Sequence, residues 1–194
     1  MQFDFEGPRT ALLILDVQRL FTAPDGPFES SGYGGMIDAI NRLSAHCRAA
    51  AVPVLFSRYA MAADGSDAGL LAGHPVVASG MFSVASPWTA LDEALQRAPE
   101  DLELVRNRPG AFHGGELDAA LQRLGREQLV LAGLSTNNAV STTAREAFAR
   151  DMPVMIAREC TAAAPFEPAS DLYLEILDTW TAEVLALGDA LDRL

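Results

Sequence analysis

Hydrophobic residues in this chain fall in short continuous runs separated by longer amphipathic or small-residue segments. The first run, "TALLILDV" at 10–17, carries no charge before Asp16, which is the pattern of a strand buried on both faces. Runs of similar character predict five further strands, at 53–59, 102–107, 127–134, 153–159 and 182–187.

Several segments between these runs have apolar residues at helical spacing. Met36, Ile40 and Leu43 recur at intervals of three and four, which predicts an amphipathic helix over 36–50. Residues 60–87 are rich in Gly, Ala and Ser and predict a long irregular connection, a feature that often covers an active site. Further helices are predicted at 87–97, 115–125, 138–150 and 168–181.

Strands and helices therefore alternate along the whole chain. Buried-type strands joined by helices are typical of a parallel sheet with helices on both faces. No internal repeat, low-complexity segment or linker divides the sequence. We predict one domain over 1–194, a three-layer α/β/α sandwich with a mainly parallel, six-stranded sheet.

Composition narrows the class of partner. The net charge is −12 and the pI is about 4.5, which disfavours nucleic acid and anionic membrane as partners. The two cysteines, Cys47 and Cys160, are far apart in sequence and indicate no disulfide framework, as expected in a reducing cytoplasm. No signal peptide or transmembrane pattern is present, so we expect a cytoplasmic protein that acts on a small molecule.

Ligands of open α/β sheets bind at the carboxyl ends of the strands. Asp16 ends the first predicted strand, where burial would raise its pKa and favour an acid or base role; its alternative role is to cap a turn. Arg106 ends the third strand and would pair with Asp16 or hold a substrate carboxylate; its alternative is a solvated loop position. The elbow at 135–138 carries a nucleophile or oxyanion site, or is only a helix cap.

Other kinds of site find little support. No histidine has a context that would make it a base for Ser135, which argues against a serine triad. Metal-ligand spacings, GxGxxG and the P-loop are all missing, so we predict neither a metal nor a cofactor.

Three segments together resemble the isochorismatase-like hydrolase superfamily, often called the cysteine hydrolases. They are "LLILDVQRLF", "RNRPGAFHGGELDAAL" and "LVLAGLSTNNAVSTTAREAFARDMPVMIARECTAA", which run in order from about residue 9 to residue 164. The resemblance implies a Rossmann-like sandwich, hydrolysis of small amides or of isochorismate, and assembly into homodimers or larger homo-oligomers.

The family triad is Asp, Lys and Cys, and here it falls on Asp16, Arg106 and Ala139. The resemblance also implies a cis peptide at Leu134–Ser135, an oxyanion site at the Asn138 and Ala139 amides, and a second carboxylate at Glu159. The metal-binding residues of nicotinamidase-type members are missing after Gln18. We predict substrate contacts from Gln18, Phe21, Tyr59, Arg108, Phe112, Leu134, Ser135 and Asn138.

The missing cysteine decides which chemistry stays open. Without a thiolate at 139 the covalent thioester route is closed, and Arg106 is too basic to shuttle a proton as a lysine would. The resemblance includes isochorismatases, which lack the cysteine and hydrolyse a vinyl ether. Three readings follow: an Asp16-dependent hydrolase of a small carboxylate-bearing molecule, a binding or scaffold homologue without catalysis, or a Cys-to-Ala variant of an amidase.

Overall fold

The computed structural model describes residues 2–28, 33–163 and 167–194. Within them, six strands form one sheet in the order β3-β2-β1-β4-β5-β6, and every neighbouring pair is parallel. This confirms the predicted fold class. The strands are β1 (Thr10–Leu15), β2 (Val54–Tyr59), β3 (Leu102–Arg106), β4 (Gln128–Leu134), β5 (Val154–Ala162) and β6 (Glu183–Leu185).

Helices cover both faces of this sheet. One face packs against α2 and α7 and the other against α4, α5 and α6. Successive side chains of a strand point to opposite faces, so β1 contributes to the cores on both sides of the sheet. Leu12 and Ile14 pack on the side of α2 and α7, and Leu13 and Leu15 pack on the side of α4, α5 and α6. The helices are α1 (Arg19–Thr22), α2 (Gly34–Ala49), α3 (Pro75–Ala78), α4 (Glu116–Leu124), α5 (Ser141–Phe148), α6 (Glu167–Trp180) and α7 (Leu187–Leu191).

The sheet reverses its strand order at β1 and β4. Leu15 of β1 pairs with Gly133 of β4 on one side and with Ser57 of β2 on the other. Gly133 has a φ of 102°, and a Cβ there would overlap the backbone of Leu15, so glycine permits this close approach. Reversal points of this kind open a crevice at the carboxyl ends of the strands.

The helix predicted at 87–97 is wrong. Only Pro87–Thr89 form a single 3₁₀ turn, which begins where the Ser86 hydroxyl accepts a hydrogen bond from the Trp88 amide. The chain then extends, and Leu91 forms an antiparallel bridge with Gln18. The apolar spacing read as a helix face instead buries Leu91 and Leu95 in the core from a loop.

The ends of two strands and three short helices also differ from the prediction. The sixth strand, predicted over 182–187, spans only Glu183–Leu185. The fifth strand continues three residues beyond its predicted end, to Ala162. The short helices α1, α3 and α7 were not predicted, because segments of four or five residues carry too little periodicity. No helix in the described part of the chain is long and apolar enough to cross a lipid bilayer.

Candidate active site

A cavity of about 440 Å³ opens at the carboxyl ends of β1 to β4. Its walls combine one carboxylate, one guanidinium, aromatic rings and the polar elbow after β4. The lining residues are Asp16, Phe21, Phe28, Tyr59, Phe82, Arg106, Pro109, Leu134, Ser135, Asn137, Asn138 and Ala139.

Asp16 follows directly on β1 and leaves the strand with a φ of 54°, in the left-handed region. Its amide still donates to the Ser57 carbonyl at 2.9 Å, and its own carbonyl accepts from the Gln18 amide at 2.8 Å. Aspartate tolerates this conformation better than most residues. The tight turn places the carboxylate in the wall of the cavity.

Arg106 fixes one oxygen of that carboxylate. Its Nη2 donates to Asp16 Oδ2 at 2.5 Å, and the two side chains are only 3% and 8% exposed. Arg106 Nε donates to Ser57 Oγ at 3.0 Å, and Nη1 donates to the carbonyl of Arg108. The guanidinium also lies 5.6 Å from the centre of the Tyr59 ring. Contacts on several sides fix the orientation of the cation.

Burial dominates the protonation of Asp16. Loss of solvent raises the pKa of its carboxyl from 3.8 to about 6, although the charge and hydrogen bond of Arg106 and the Tyr59 amide oppose the rise. The thiols of Cys47 and Cys160 have pKa values raised to about 12 by burial, so neither offers a thiolate in place of the missing one.

Two buried acceptors in the described part of the cavity wall have no hydrogen-bond partner. Asp16 Oδ1 is one, and Asn137 Oδ1 is the other. A buried polar atom without a partner costs free energy, and such atoms concentrate where a ligand or water is expected to bind. The free oxygen of Asp16 is therefore available for chemistry while Arg106 holds the other.

The elbow begins with a cis peptide between Leu134 and Ser135, as the resemblance implied. A π-helical turn over Thr136–Val140 follows and leads into α5. The Asn138 amide donates to the Ser135 carbonyl at 3.0 Å, so this predicted oxyanion donor is already used within the turn. Ala139 is 2% exposed and presents a methyl group to the cavity.

A chain of hydroxyls supports the elbow from behind. Thr161 Oγ1 donates to the Gly133 carbonyl at 2.8 Å, so its contact of 2.8 Å with Thr136 Oγ1 must be accepted from Thr136. Thr136 in turn accepts from Ser170 Oγ at 2.9 Å. The elbow is thereby tied to β5 and α6.

We expect Thr161→Val to lower the free energy of unfolding by about 1–2 kcal/mol, because two buried groups lose a hydrogen-bond partner while the side-chain volume hardly changes. Thr179→Val is the control: its exposed hydroxyl bonds only a carbonyl of its own helix at 3.0 Å, and we expect a change within about 0.5 kcal/mol. Urea denaturation measures both. Equal losses would contradict the assignment.

Aromatic rings form another part of the wall. Phe21 and Phe28 lie 6.2 Å apart, Phe28 and Phe82 6.0 Å, and Phe82 meets the edge of Tyr59 at 5.4 Å. Spacings of this kind are favourable for aromatic pairs. The wall suits a planar or apolar part of a small ligand.

Eight of the eleven predicted site residues line this cavity: Asp16, Phe21, Tyr59, Arg106, Leu134, Ser135, Asn138 and Ala139. Three do not. Gln18 is fully buried, where Oε1 accepts from the Tyr59 amide at 2.9 Å and Nε2 donates to the Thr89 carbonyl at 2.8 Å. It supports the wall instead of facing a substrate.

Arg108 and Phe112 also have other partners. Arg108 Nη1 donates to the Asp67 carbonyl at 3.1 Å and so fastens the 60–87 connection. Phe112 is 4% exposed, packs in the core beneath α4 and α5, and lies 4.2 Å from the guanidinium of Arg150. Glu159 is exposed and accepts a hydrogen bond from the Leu187 amide at 2.7 Å, away from the cavity.

Three lining residues were missed: Phe28, Phe82 and Pro109; Asn137 lies in the predicted elbow but was not predicted as a substrate contact. Phe82 lies in the 60–87 connection, where a single aromatic among Gly, Ala and Ser was the available signal. Among the residues the structure describes, no three His, Cys, Asp or Glu side chains are grouped as a metal site.

Comparison with known families agrees with this geometry. The model of the isochorismatase domain matches residues 10–188. The chain belongs to the isochorismatase family. Its members are hydrolases, and the α/β/α sandwich of this chain agrees with the fold of its solved relatives.

Individual relatives differ in what their names state. An uncharacterized isochorismatase family protein YecD of Escherichia coli O157:H7 is 31% identical over 81% of this chain and 82% of its own length. The ureidoacrylate amidohydrolase RutB of Methylobacterium radiotolerans is 28% identical over 94% of this chain and 79% of its own length. A cysteine hydrolase from Pseudomonas syringae superposes with a TM-score of 0.93 over 99% of this chain and 95% of its own. The two sequences are 24% identical, so this likeness shows the fold alone.

Proposed function

We propose that this family member hydrolyses a vinyl ether or a related C–O or C–N bond of a small carboxylate-bearing molecule, with Asp16 as acid and base and without a covalent intermediate. Asp16 Oδ1 is buried and unpartnered at the cavity wall, while Arg106 occupies Oδ2. A carboxyl group held in this way can exchange a proton with a substrate.

A vinyl ether would be hydrolysed in three steps. Asp16 gives its proton to the terminal carbon of the double bond, which leaves an oxygen-stabilised cation at the neighbouring carbon. Water adds to that carbon and returns a proton to the Asp16 carboxylate. The resulting hemiketal breaks its C–O bond and releases an alcohol and a keto acid, so no nucleophilic side chain is needed.

Ala139 and Arg106 fit this route better than the amidase route. A methyl group cannot attack a carbonyl, and no histidine is among the described residues that line the cavity to activate Ser135. The planar fork of the Arg106 guanidinium suits a substrate carboxylate beside Asp16.

We expect kcat/KM for isochorismate to fall as the pH rises through about 6. The acid step needs protonated Asp16, whose pKa is raised from 3.8 to about 6, so the active form predominates below that pH and about a tenth of it persists at pH 7. Pyruvate release measured from pH 4.5 to 8 gives the profile. A rate that instead rises through pH 6 would assign Asp16 as a base.

Pyruvate release from isochorismate is also the test of the proposal itself. If no pyruvate is released, isochorismate is not the substrate. Another small-molecule substrate, or a binding role without catalysis, would then be favoured. Amide hydrolysis gained by Ala139→Cys would favour the reading in which this chain is an altered amidase. We also propose that the protein is a homo-oligomer, as the family resemblance implies, and sedimentation velocity would test this. The two isolated cysteines are the ground on which we propose a cytoplasmic location.

A further inference from the structure

We infer that the cavity binds a small carboxylate together with one proton, because Arg106 is shared between Asp16 and the ligand. The inference rests on the proposed role of these two side chains, but it concerns binding rather than turnover. It makes the ligand a carboxylate anion whose affinity depends on the protonation of Asp16.

Arg106 has more N–H donors than it uses in hydrogen bonds with the described residues. A guanidinium has five N–H groups, and three of them go to Ser57, Arg108 and Asp16. One N–H on Nη1 and one on Nη2 have no partner among the described residues. Because Arg106 lines the cavity, a ligand carboxylate can accept from these two nitrogens as a bidentate pair.

The charges on the cavity wall determine how many protons are taken up when a carboxylate binds. Asp16 and Arg106 are its two charged side chains among the described lining residues, and they neutralise each other. A second carboxylate at Arg106 would leave one negative charge in excess beside Asp16 Oδ1. Like charges at a buried site raise the pKa of one partner, so retention of a proton removes the excess.

Among the described residues that line the cavity, no second cation lies beside Asp16 to offset that charge. Tyr59 of β2 carries a neutral phenol whose pKa burial raises further, and α1 contributes the ring of Phe21. The elbow contributes the neutral side chains of Ser135, Asn137 and Asn138. Arg108 and Asp67 act electrostatically on Tyr59 with opposite signs.

Proton uptake fixes the sign of the pH dependence. A ligand that binds with a proton loses affinity as the pH rises, by up to tenfold per pH unit where Asp16 is ionised in the free protein. With Asp16 titrating near 6, the loss begins above pH 6. Below pH 5 the proton is already present and affinity levels off.

Benzoate and its neutral analogue benzamide test this inference by calorimetry on the wild-type protein. At pH 7, titration in phosphate and in Tris should give an uptake of about 0.9 proton per benzoate bound, and this uptake should fall close to zero at pH 5, where free Asp16 is already largely protonated. The benzoate Kd should weaken about tenfold from pH 7 to pH 8, while benzamide shows neither effect.

Two variants test whether Asp16 binds the proton that is taken up with benzoate. In Asp16→Asn, benzoate should bind without proton uptake and with a pH-independent Kd between 6 and 8. Asp38→Asn makes the same chemical change at an exposed position of α2 and should behave as wild type. Uptake near zero at pH 7 in wild type, or no binding of benzoate, would overturn the inference.

The two proposals can fail separately. Proton-coupled benzoate binding without hydrolysis of isochorismate would leave a binding site for anions and reject the vinyl-ether hydrolase. Hydrolysis with a pH-independent benzoate affinity would retain the enzyme and reject the shared arginine.

Discussion

Asp16→Asn is expected to lower kcat for hydrolysis by about 10²–10⁴-fold, the range over which general acid–base groups contribute. Asparagine keeps the shape of the side chain and an oxygen for Arg106, but it has no proton to give. KM should change much less, because the cavity wall and Arg106 remain. Pyruvate release under saturating isochorismate measures the loss.

Asp38→Asn is the matched control, since it removes one negative charge from an exposed site on α2. We expect its rate to equal that of wild type. Thermal denaturation of both variants excludes unfolding as the cause of a lost rate. If Asp16→Asn retained more than a tenth of the wild-type kcat, Asp16 would not be the acid.

The sheet could be predicted because its signal is local. A strand buried on both faces needs a continuous apolar run, so Ala11 to Leu15 could be read without knowledge of their neighbours. The polar residues that end such runs gather at one edge of a parallel sheet. This rule, together with the family resemblance, brought Asp16 and Arg106 into one site.

The prediction did less well where a side chain is held by a distant partner. Gln18 and Arg108 have site-like positions in sequence, but their polar groups bond to backbone at Thr89 and Asp67, many residues away. Nothing local indicates such partners. The same holds for Leu91, whose apolar spacing arose from a loop bridged to Gln18 rather than from a helix.

Phe28 and Phe82 show a further limit. Each lies outside the regular elements, and each reaches the cavity only because the chain folds back over the carboxyl ends of the strands. A periodic pattern places residues within an element, whereas these two depend on the path between elements. The aromatic wall was therefore found only in the structure.

Arg106→Met is expected to lower the free energy of unfolding by about 3–5 kcal/mol at pH 8, because it leaves the Asp16 carboxylate buried without its cation. The loss should be smaller at pH 5. Without Arg106 the folded pKa of Asp16 rises further above 3.8, and the folded state then binds more protons than the unfolded state over a wider range. Stability of the variant therefore falls with rising pH over that range.

Urea denaturation at pH 5 and pH 8 measures this difference. Arg158→Met is the matched control, because it breaks an exposed ion pair with Asp171 at 3.3 Å and should cost less than about 1 kcal/mol at either pH. Arg106→Lys should lie between the two: it keeps the charge but loses the fork that binds Ser57 and the Arg108 carbonyl. A loss in Arg106→Met that is equal at both pH values would mean that lost packing, rather than the unpaired carboxylate, destabilises the variant.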